Sequence, residues 1–199
     1  MKLVLASGNA GKLKELQAML ADLPLQIVPQ RELGVDDVPE TGLTFVENAL
    51  IKARHACAVT GLPALADDSG LIVDALDGAP GLYSARYAGS PTDDAANNAK
   101  LLDALREVPA ERRSARFYAV IVLLRHADDP QPLICEGSWE GRIVDAPRGS
   151  HGFGYNPVFL DEALGLTAAE MPPEQKNARS HRAAALRLLL QRLSRQLAH

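Results

Sequence analysis

Cysteine is scarce in this chain. Only Cys57 and Cys135 occur in 199 residues. They lie far apart and outside any metal-type spacing, which argues against a disulfide framework or a thiolate zinc site and for reduced, buried thiols in a cytosolic setting. A basic excess is missing as well. Twenty-one Lys and Arg face twenty-five Asp and Glu, for a net charge of −4. A general binder of nucleic acid or of a membrane surface would carry the opposite sign. Long apolar runs are absent too. The opening "MKLVLASGNAGK" has too short a run for a signal peptide, and no stretch approaches the length of a membrane span. There is no internal repeat, no low-complexity tract and no linker rich in Gly, Pro or Ser. The expectation is one cytoplasmic domain over residues 1–199, without nucleic-acid or membrane partners.

What is present is ordinary globular material, 47% hydrophobic and 23% charged. "LVLA" (3–6) reads as a buried strand, broken by "SGNAG". Leu13, Leu16 and Leu20 then recur at helical spacing. A second helix starts near Thr44, because Thr44 and Glu47 have the spacing of a capping box. Val46, Leu50, Ala53 and Cys57 form its apolar stripe, and Gly61 and Pro63 end it. "ALADDSGLIVDAL" reads as strand, break, strand. A third helix covers about Thr92 to Arg106. "SARFYAVIVLLRH" is a central strand. "PLICEGSWEGRIV" reads as two strands around a bend. A last helix, roughly Arg179 to Leu197, buries Leu186, Leu190, Leu193 and Leu197. Interleaved strands and helices without strict repeats predict an α/β fold with a mixed, twisted central sheet flanked by helices.

"SGNAGK" (Ser7 to Lys12) lies between strand and helix, where free N–H groups bind anions and glycine lets a phosphate approach. It is not a P-loop. Two residues, not four, separate Gly8 from Gly11, and Leu13 stands where a magnesium-holding Ser or Thr belongs. Taken alone, a tight turn with an exposed lysine fits it better.

Asp67 and Asp68 follow an apolar run directly. Two carboxylates can hold Mg²⁺ beside water and substrate phosphates, or one can activate a water as general base. Neighbours on a strand face opposite ways. The pair can therefore meet at one ion only if the backbone bends, and Ser69-Gly70 is the candidate bend. A solvated acidic turn explains this stretch as well. Glu40 is a further acid in a turn. Lys52 shares a helix face with Asn48, whereas Glu47 serves its own cap.

"HGFGYNP" sets Phe153 and Tyr155 among glycines, where either ring could stack on a base, and Asn156 could bond a sugar or base edge. Lys176, Ser180, His181 and Arg182 cluster where the last helix begins. That position suits an anion or a keto oxygen, and a basic group there does not serve the helix dipole.

Together, "ASGNAGKLKEL", "ETGLTFVENALIKARHA", "ALADDSGLIVDALDGAPGLYSARYAG", "GFGYNPVF" and "SHRAAALRLLL" resemble, in order and over the whole chain, the inosine triphosphate pyrophosphatase (ITPase) family. The resemblance implies an elongated two-lobed fold around a central cleft, a homodimer, and Mg²⁺-dependent hydrolysis of ITP, dITP and XTP to monophosphate and pyrophosphate, which clears deaminated purines from the nucleotide pool. It further implies that Ser7, Gly8, Asn9, Ala10, Gly11 and Lys12 bind the triphosphate, with Lys52 a further contact. Asp68 would be the metal-linked base, with Asp67 and Glu40 completing the metal site and Ser69 touching substrate. Phe153, Gly154, Tyr155, Asn156, Lys176, His181 and Arg182 would hold the nucleoside. Asn156 departs from the Asp usual in that loop, keeping an acceptor and losing the charge. A non-catalytic nucleotide sensor and a Maf-like pyrophosphatase are the rival readings.

Overall fold

The computed structural model describes residues 2–21 and 24–197, with side chains to 194. β1 (Lys2–Ala6) leads through the glycine loop into α1 (Ala10–Leu20), and β2 (Gln26–Pro29) returns parallel to β1. Asn9 caps α1 by accepting the Lys12 N–H at 3.1 Å. α2 (Phe45–Thr60) and β3 (Ala64–Val73) follow, with β3 parallel to β1 on its other side. After α3 (Asp94–Ala104) come β4 (Ser114–Leu124), β5 (Leu133–Ile143), β6 (Phe159–Asp161) and β7 (Leu166–Thr167), then α4 (Pro173–Arg179) and α5 (His181–Leu197). The seven strands run in the order β2-β1-β3-β4-β5-β6-β7, and β6 is antiparallel to β5 and β7. The expected mixed α/β sheet is what forms.

The chain divides into two compact units. One comprises Met1–Asp68, Ala119–Gly137 and Arg182–His199; the other comprises Ser69–Tyr118 and Ser138–His181. Each has its own core. In the first, Leu16 and Leu20 of α1 and Leu186 and Leu189 of α5 pack on Leu3, Leu5, Leu65 and Ile121 of the sheet. In the second, Phe117, Trp139, Tyr155, Phe159 and Met171 dominate, and the Phe117 and Phe159 ring centroids lie 4.5 Å apart. Among the described residues no helix is long and apolar enough to cross a membrane.

The capping box at α2 forms as its spacing predicts. Thr44 Oγ1 accepts the Glu47 N–H, and Glu47 Oε2 accepts from Leu43 N and Thr44 Oγ1, both at 2.8 Å. Thr44→Ala removes one side of that box and is expected to lower stability by about 1 kcal/mol, read as a lower urea midpoint at unchanged slope. The stripe of α2 is rotated from the expected one. Asn48, Ala49, Ala53, Ala56 and Cys57 are buried, while Val46 and Leu50 are half-buried. Small residues face inward because α2 lies close to the sheet.

Two expectations are corrected. β3 runs unbroken through Asp67-Asp68-Ser69-Gly70, since glycine weakens a strand without having to end it. "LICEGSWEGRI" is one strand, not two around a bend. The last helix forms close to its expected bounds, as α5, and a short helix that was not foreseen, α4, precedes it, separated by the extended backbone of Ser180 (φ −63°, ψ 157°). In α5, Leu186 is buried, Leu190 and Leu193 are half-buried, and the Leu197 side chain lies outside the described residues.

Candidate active site

The unbroken β3 decides how its two aspartates behave. Successive residues of a strand face opposite sides, so Asp67 and Asp68 acquire separate partners. Asp67 is fully buried. Lys12 Nζ of α1 stands 3.0 Å from its Oδ2. From the first turn of α5, Arg182 donates Nε to Asp67 Oδ1 at 3.1 Å and Nη2 to Oδ2 at 3.3 Å, while its Nη1 pairs with Glu15 of α1. Burial alone would push the Asp67 carboxyl up. Arg182 and then Lys12 outweigh that and hold it well below the usual carboxylate range. Burial depresses Lys12, against the pull of Asp67. Burial also opposes the charge on Arg182, but Asp67 and Glu15 raise its pKa above the ordinary value.

Asp68 meets a different cation. Lys52 Nζ, from α2, donates to Asp68 Oδ1 at 2.9 Å and to the Asp67 backbone carbonyl at 2.9 Å, and pairs with Glu40 Oε1 at 3.0 Å. These contacts use all three ammonium donors. Burial would depress Lys52, but Asp68 and Glu40 prevail and its pKa is raised. For Asp68 the balance is reversed. Burial raises its pKa by more than Lys52 and Lys12 lower it. Two adjacent carboxylates thus have opposite acidities: one fixed as an anion between two cations, the other poised to take a proton. A base near neutrality requires the second kind of environment.

The expected set of Asp67, Asp68 and Glu40 about one ion is therefore revised. Asp67 is directed to Lys12 and Arg182, and among the described residues no three His, Cys, Asp or Glu side chains gather closely enough to hold a metal. Glu40 and Asp68 remain a fitting pair of hard oxygen donors. They converge on one ammonium, the place where positive charge is wanted, and Mg²⁺ commonly takes one or two carboxylates plus substrate phosphates.

The glycine loop lies beside these groups in the same unit. Ser7 is buried and its Oγ accepts the Asn9 N–H at 3.2 Å. Ala10 and Gly11 open α1, where helix N–H groups have no intrahelical acceptor. At Gly8 any side chain would have to displace Asp37. A Cβ there would stand 2.5 Å from both carboxylate oxygens of Asp37, which is held by Gln30 Nε2 at 2.6 Å and Arg31 Nη2 at 3.2 Å. Ser69 is half-buried on β3, next to Asp68.

The second unit holds the aromatic loop. α3 clamps it at Gly154, whose N–H donates to Asp94 Oδ2 at 2.7 Å and whose carbonyl accepts Asn98 Nδ2 at 2.9 Å. Gly154 has φ +62°, a conformation that glycine adopts without cost. This clamp sets the residues on either side. Tyr155 turns inward and donates its hydroxyl to the Ser84 carbonyl at 2.8 Å, and burial pushes its pKa up. Phe153 stays half-buried, with Lys176 Nζ 5.4 Å from its ring centroid. It lines a cavity of about 540 Å³ with Asp94, Asn98, Leu102, His151 and Pro157. Asn156 is buried, its Nδ2 has no hydrogen-bond partner among the described residues, and a Cβ at Gly152 would come within 2.0 Å of it.

α4 presents the buried Lys176 and is anchored at its end by Arg179, whose Nε meets Asp161 Oδ2 at 2.8 Å. Asp161 also accepts Trp139 Nε1 at 2.9 Å. His181 is buried and stacked on Phe117, with centroids 5.0 Å apart and planes at 16°. Lys12, Lys52, Glu40, Asp67, Asp68 and Arg182 thus come together in the first unit. Phe153 to Asn156, Lys176 and His181 belong to the second. Arg182, expected at the nucleoside, pairs with Asp67 and Glu15. Sequence reasoning missed Glu15, Asp37 and Gly152. Glu15 carries one legible signal, since it lies three residues after Lys12 and so on a neighbouring helix face.

The model of the Ham1 family matches residues 3–192. The chain is 82% identical over 191 residues to the dITP/XTP pyrophosphatase of Xanthomonas campestris pv. campestris (strain 8004), covering 96% of each chain. It is 60% identical over 192 residues to the dITP/XTP pyrophosphatase of Pectobacterium atrosepticum, covering 96% of this chain and 98% of that one. Among solved structures, a HAM1 protein from Coxiella burnetii superposes with a TM-score of 0.91 at 52% identity, covering 98% of this chain and 99% of the other.

Proposed function

The chain belongs to the Ham1 family, and from that premise we propose that it hydrolyses ITP, dITP and XTP to the monophosphate and pyrophosphate. One observation carries the chemical part: Asp67 and Asp68 have their acidities driven apart, so that Asp68 beside Lys52 is the group able to accept a proton. In this reading Asp68 takes the proton of a water attacking the α-phosphorus. Lys12 and the N–H groups of residues 8–11 receive the triphosphate at the start of α1, where the helix dipole favours anions. Lys52 can exchange a carboxylate for a phosphate oxygen without leaving its place. Mg²⁺, held by Glu40 and Asp68, would neutralise charge on the phosphate oxygens.

Phe153 offers a ring face to a purine. Lys176, His181 and the Asn156 amide offer donors to a 6-keto oxygen. A 6-amino group facing such donors leaves polar groups unpaired, and this is the strong form of discrimination. A single-domain, cytoplasmic homodimer with two lobes completes the proposal, supported by the family and by the dearth of cysteine and of apolar runs.

Incubation with Mg²⁺ and a panel of ITP, dITP, XTP, ATP, GTP and pyrimidine triphosphates tests it. Pyrophosphate and monophosphate are expected from the first three, with kcat/KM about 10²-fold or more above ATP. A nucleotide sensor would release no pyrophosphate. Stepwise orthophosphate would contradict attack at the α-phosphorus. Preference for pyrimidine substrates would favour the Maf-like alternative.

A further inference from the structure

Asn48, Lys52 and His55 of α2 recur at a spacing of four and then three, so they share one helix stripe. Each holds a different point of the segment that precedes the helix. Asn48, 3% exposed, accepts the Gly42 N–H on Oδ1 at 2.8 Å. Lys52 pairs with Glu40 at 3.0 Å. His55 Nε2 stands 3.1 Å from the Asp36 carbonyl oxygen, which can only accept, so the ring donates there. We propose that Asn48 and His55 are positioning residues: they lash residues 36–42 along α2 and so set the Glu40 carboxylate against Lys52. The inference rests on the reading of Glu40 as an oxygen donor to Mg²⁺, and adds to it what holds that donor in place.

Glu40 needs such support. Residues 35–42 form neither helix nor strand, so no backbone ladder fixes them. Apolar burial does not fix them either. From Asp36 to Gly42 no residue is buried, and the next, Leu43, is 86% exposed. Asp37 ties the segment to Gln30 and Arg31, not to α2. The contacts with α2 run in opposite senses along the two stretches of chain. Asp36 meets residue 55, Glu40 meets residue 52 and Gly42 meets residue 48. The segment therefore lies antiparallel to the helix, with Glu40 between two anchors.

The anchor at Asn48 is close-fitting. A Cβ at Gly42 would come within 2.5 Å of Glu47 Cβ and 2.7 Å of Asn48 Oδ1, so the bare backbone is what lets the N–H reach the amide. Asparagine is a poor helix former, and a buried amide has to be given partners. Its place on the buried face of α2 is accounted for by the loop it holds. Groups that hold a metal-binding carboxylate in place govern metal affinity nearly as much as the carboxylate does.

The test uses the full chain with Asn48→Ala, which removes the acceptor, and Asn48→Asp, which keeps it. His55→Ala and His55→Gln repeat the comparison at the other anchor, where a half-buried side chain asks less of the fold. Melting temperature is recorded for each. The Mg²⁺ concentration for half-maximal ITP turnover is expected to rise roughly tenfold or more in each alanine variant, with kcat at saturating Mg²⁺ within about threefold of wild type. Asn48→Asp and His55→Gln are expected to stay within about threefold in both quantities. In a Glu40→Gln background Asn48→Ala should add less than about twofold, because the two act through one carboxylate. A lower melting temperature or kcat with an unchanged Mg²⁺ requirement overturns the inference in favour of a purely structural role. A full, independent effect in the Glu40→Gln background overturns it as well. If the wild type releases no pyrophosphate from any triphosphate, the proposed function fails. Amide hydrogen exchange over residues 36–42, without metal or nucleotide, then decides the anchoring separately. Faster exchange in both alanine variants, restored in Asn48→Asp and His55→Gln, upholds it, and unchanged exchange overturns it.

Discussion

Asp68→Asn is expected to lower kcat by about 10²- to 10⁴-fold, the range for loss of a positioned general base, with a near-normal melting temperature. The amide has the same shape, and its oxygen can still accept from Lys52 Nζ, now 2.9 Å from Asp68 Oδ1. Lys52 retains Glu40 as its counter-charge. The fold therefore has little to lose, while the water loses its proton acceptor. Steady-state rates with ITP and a thermal melt on one preparation measure both. Activity within tenfold of wild type would remove Asp68 from the role of base. The pH profile supplies a sign. Burial raises the Asp68 pKa, so the active, deprotonated form is lost as pH falls through a value above that of an ordinary aspartate. Wild-type kcat should show that acid limb, and the residual activity of Asp68→Asn should lack it.

Asp67→Ala is expected to damage the fold as well as the activity. Arg182, at 2% exposure, and Lys12 would keep their charges with no carboxylate between them. Removing one partner of a buried pair costs about 3–5 kcal/mol, a large part of the 5–15 kcal/mol that holds a typical domain. Urea unfolding at neutral pH reads this as a lower midpoint; a loss below about 1 kcal/mol would mean that these ion pairs contribute little. Here too the pH sign follows from the pKa. The folded-state value of Asp67 is depressed. Its contribution is complete above the unfolded carboxylate pKa and is lost as pH falls toward the folded value. The gap between wild type and variant should therefore hold from neutral pH down to about pH 4 and narrow below it.

Much of this was legible in the chain. Thr44 and Glu47 announced α2, the Leu13, Leu16 and Leu20 spacing announced α1, and the run from Ser114 to Leu124 announced a central strand. The failures share a cause. "DDSG" and "EGSWEG" contain residues that break structure in isolation, yet β3 and β5 run through them. Strand propensity yields to pairing with neighbours, and pairing is not written in a local window. The division of labour between Asp67 and Asp68 was also hidden. On paper the two residues are the same. Arg182, more than a hundred residues downstream, is what makes them differ, and separations of that length leave no periodic trace.

Gly8 has a consequence for how such a loop can change by mutation. A side chain there would meet the Asp37 carboxylate, the far end of an exposed side chain, rather than strain its own dihedral angles, for Gly8 is not among the glycines with positive φ. Admitting one therefore means moving Asp37 away from Gln30 and Arg31, so the two positions are coupled. A background in which position 37 has first become small opens position 8 without that displacement. In the reverse order the chain gives up the Asp37 contacts to admit the new side chain. Which substitutions this loop accepts at least cost depends on the sequence of events as well as on the residues themselves.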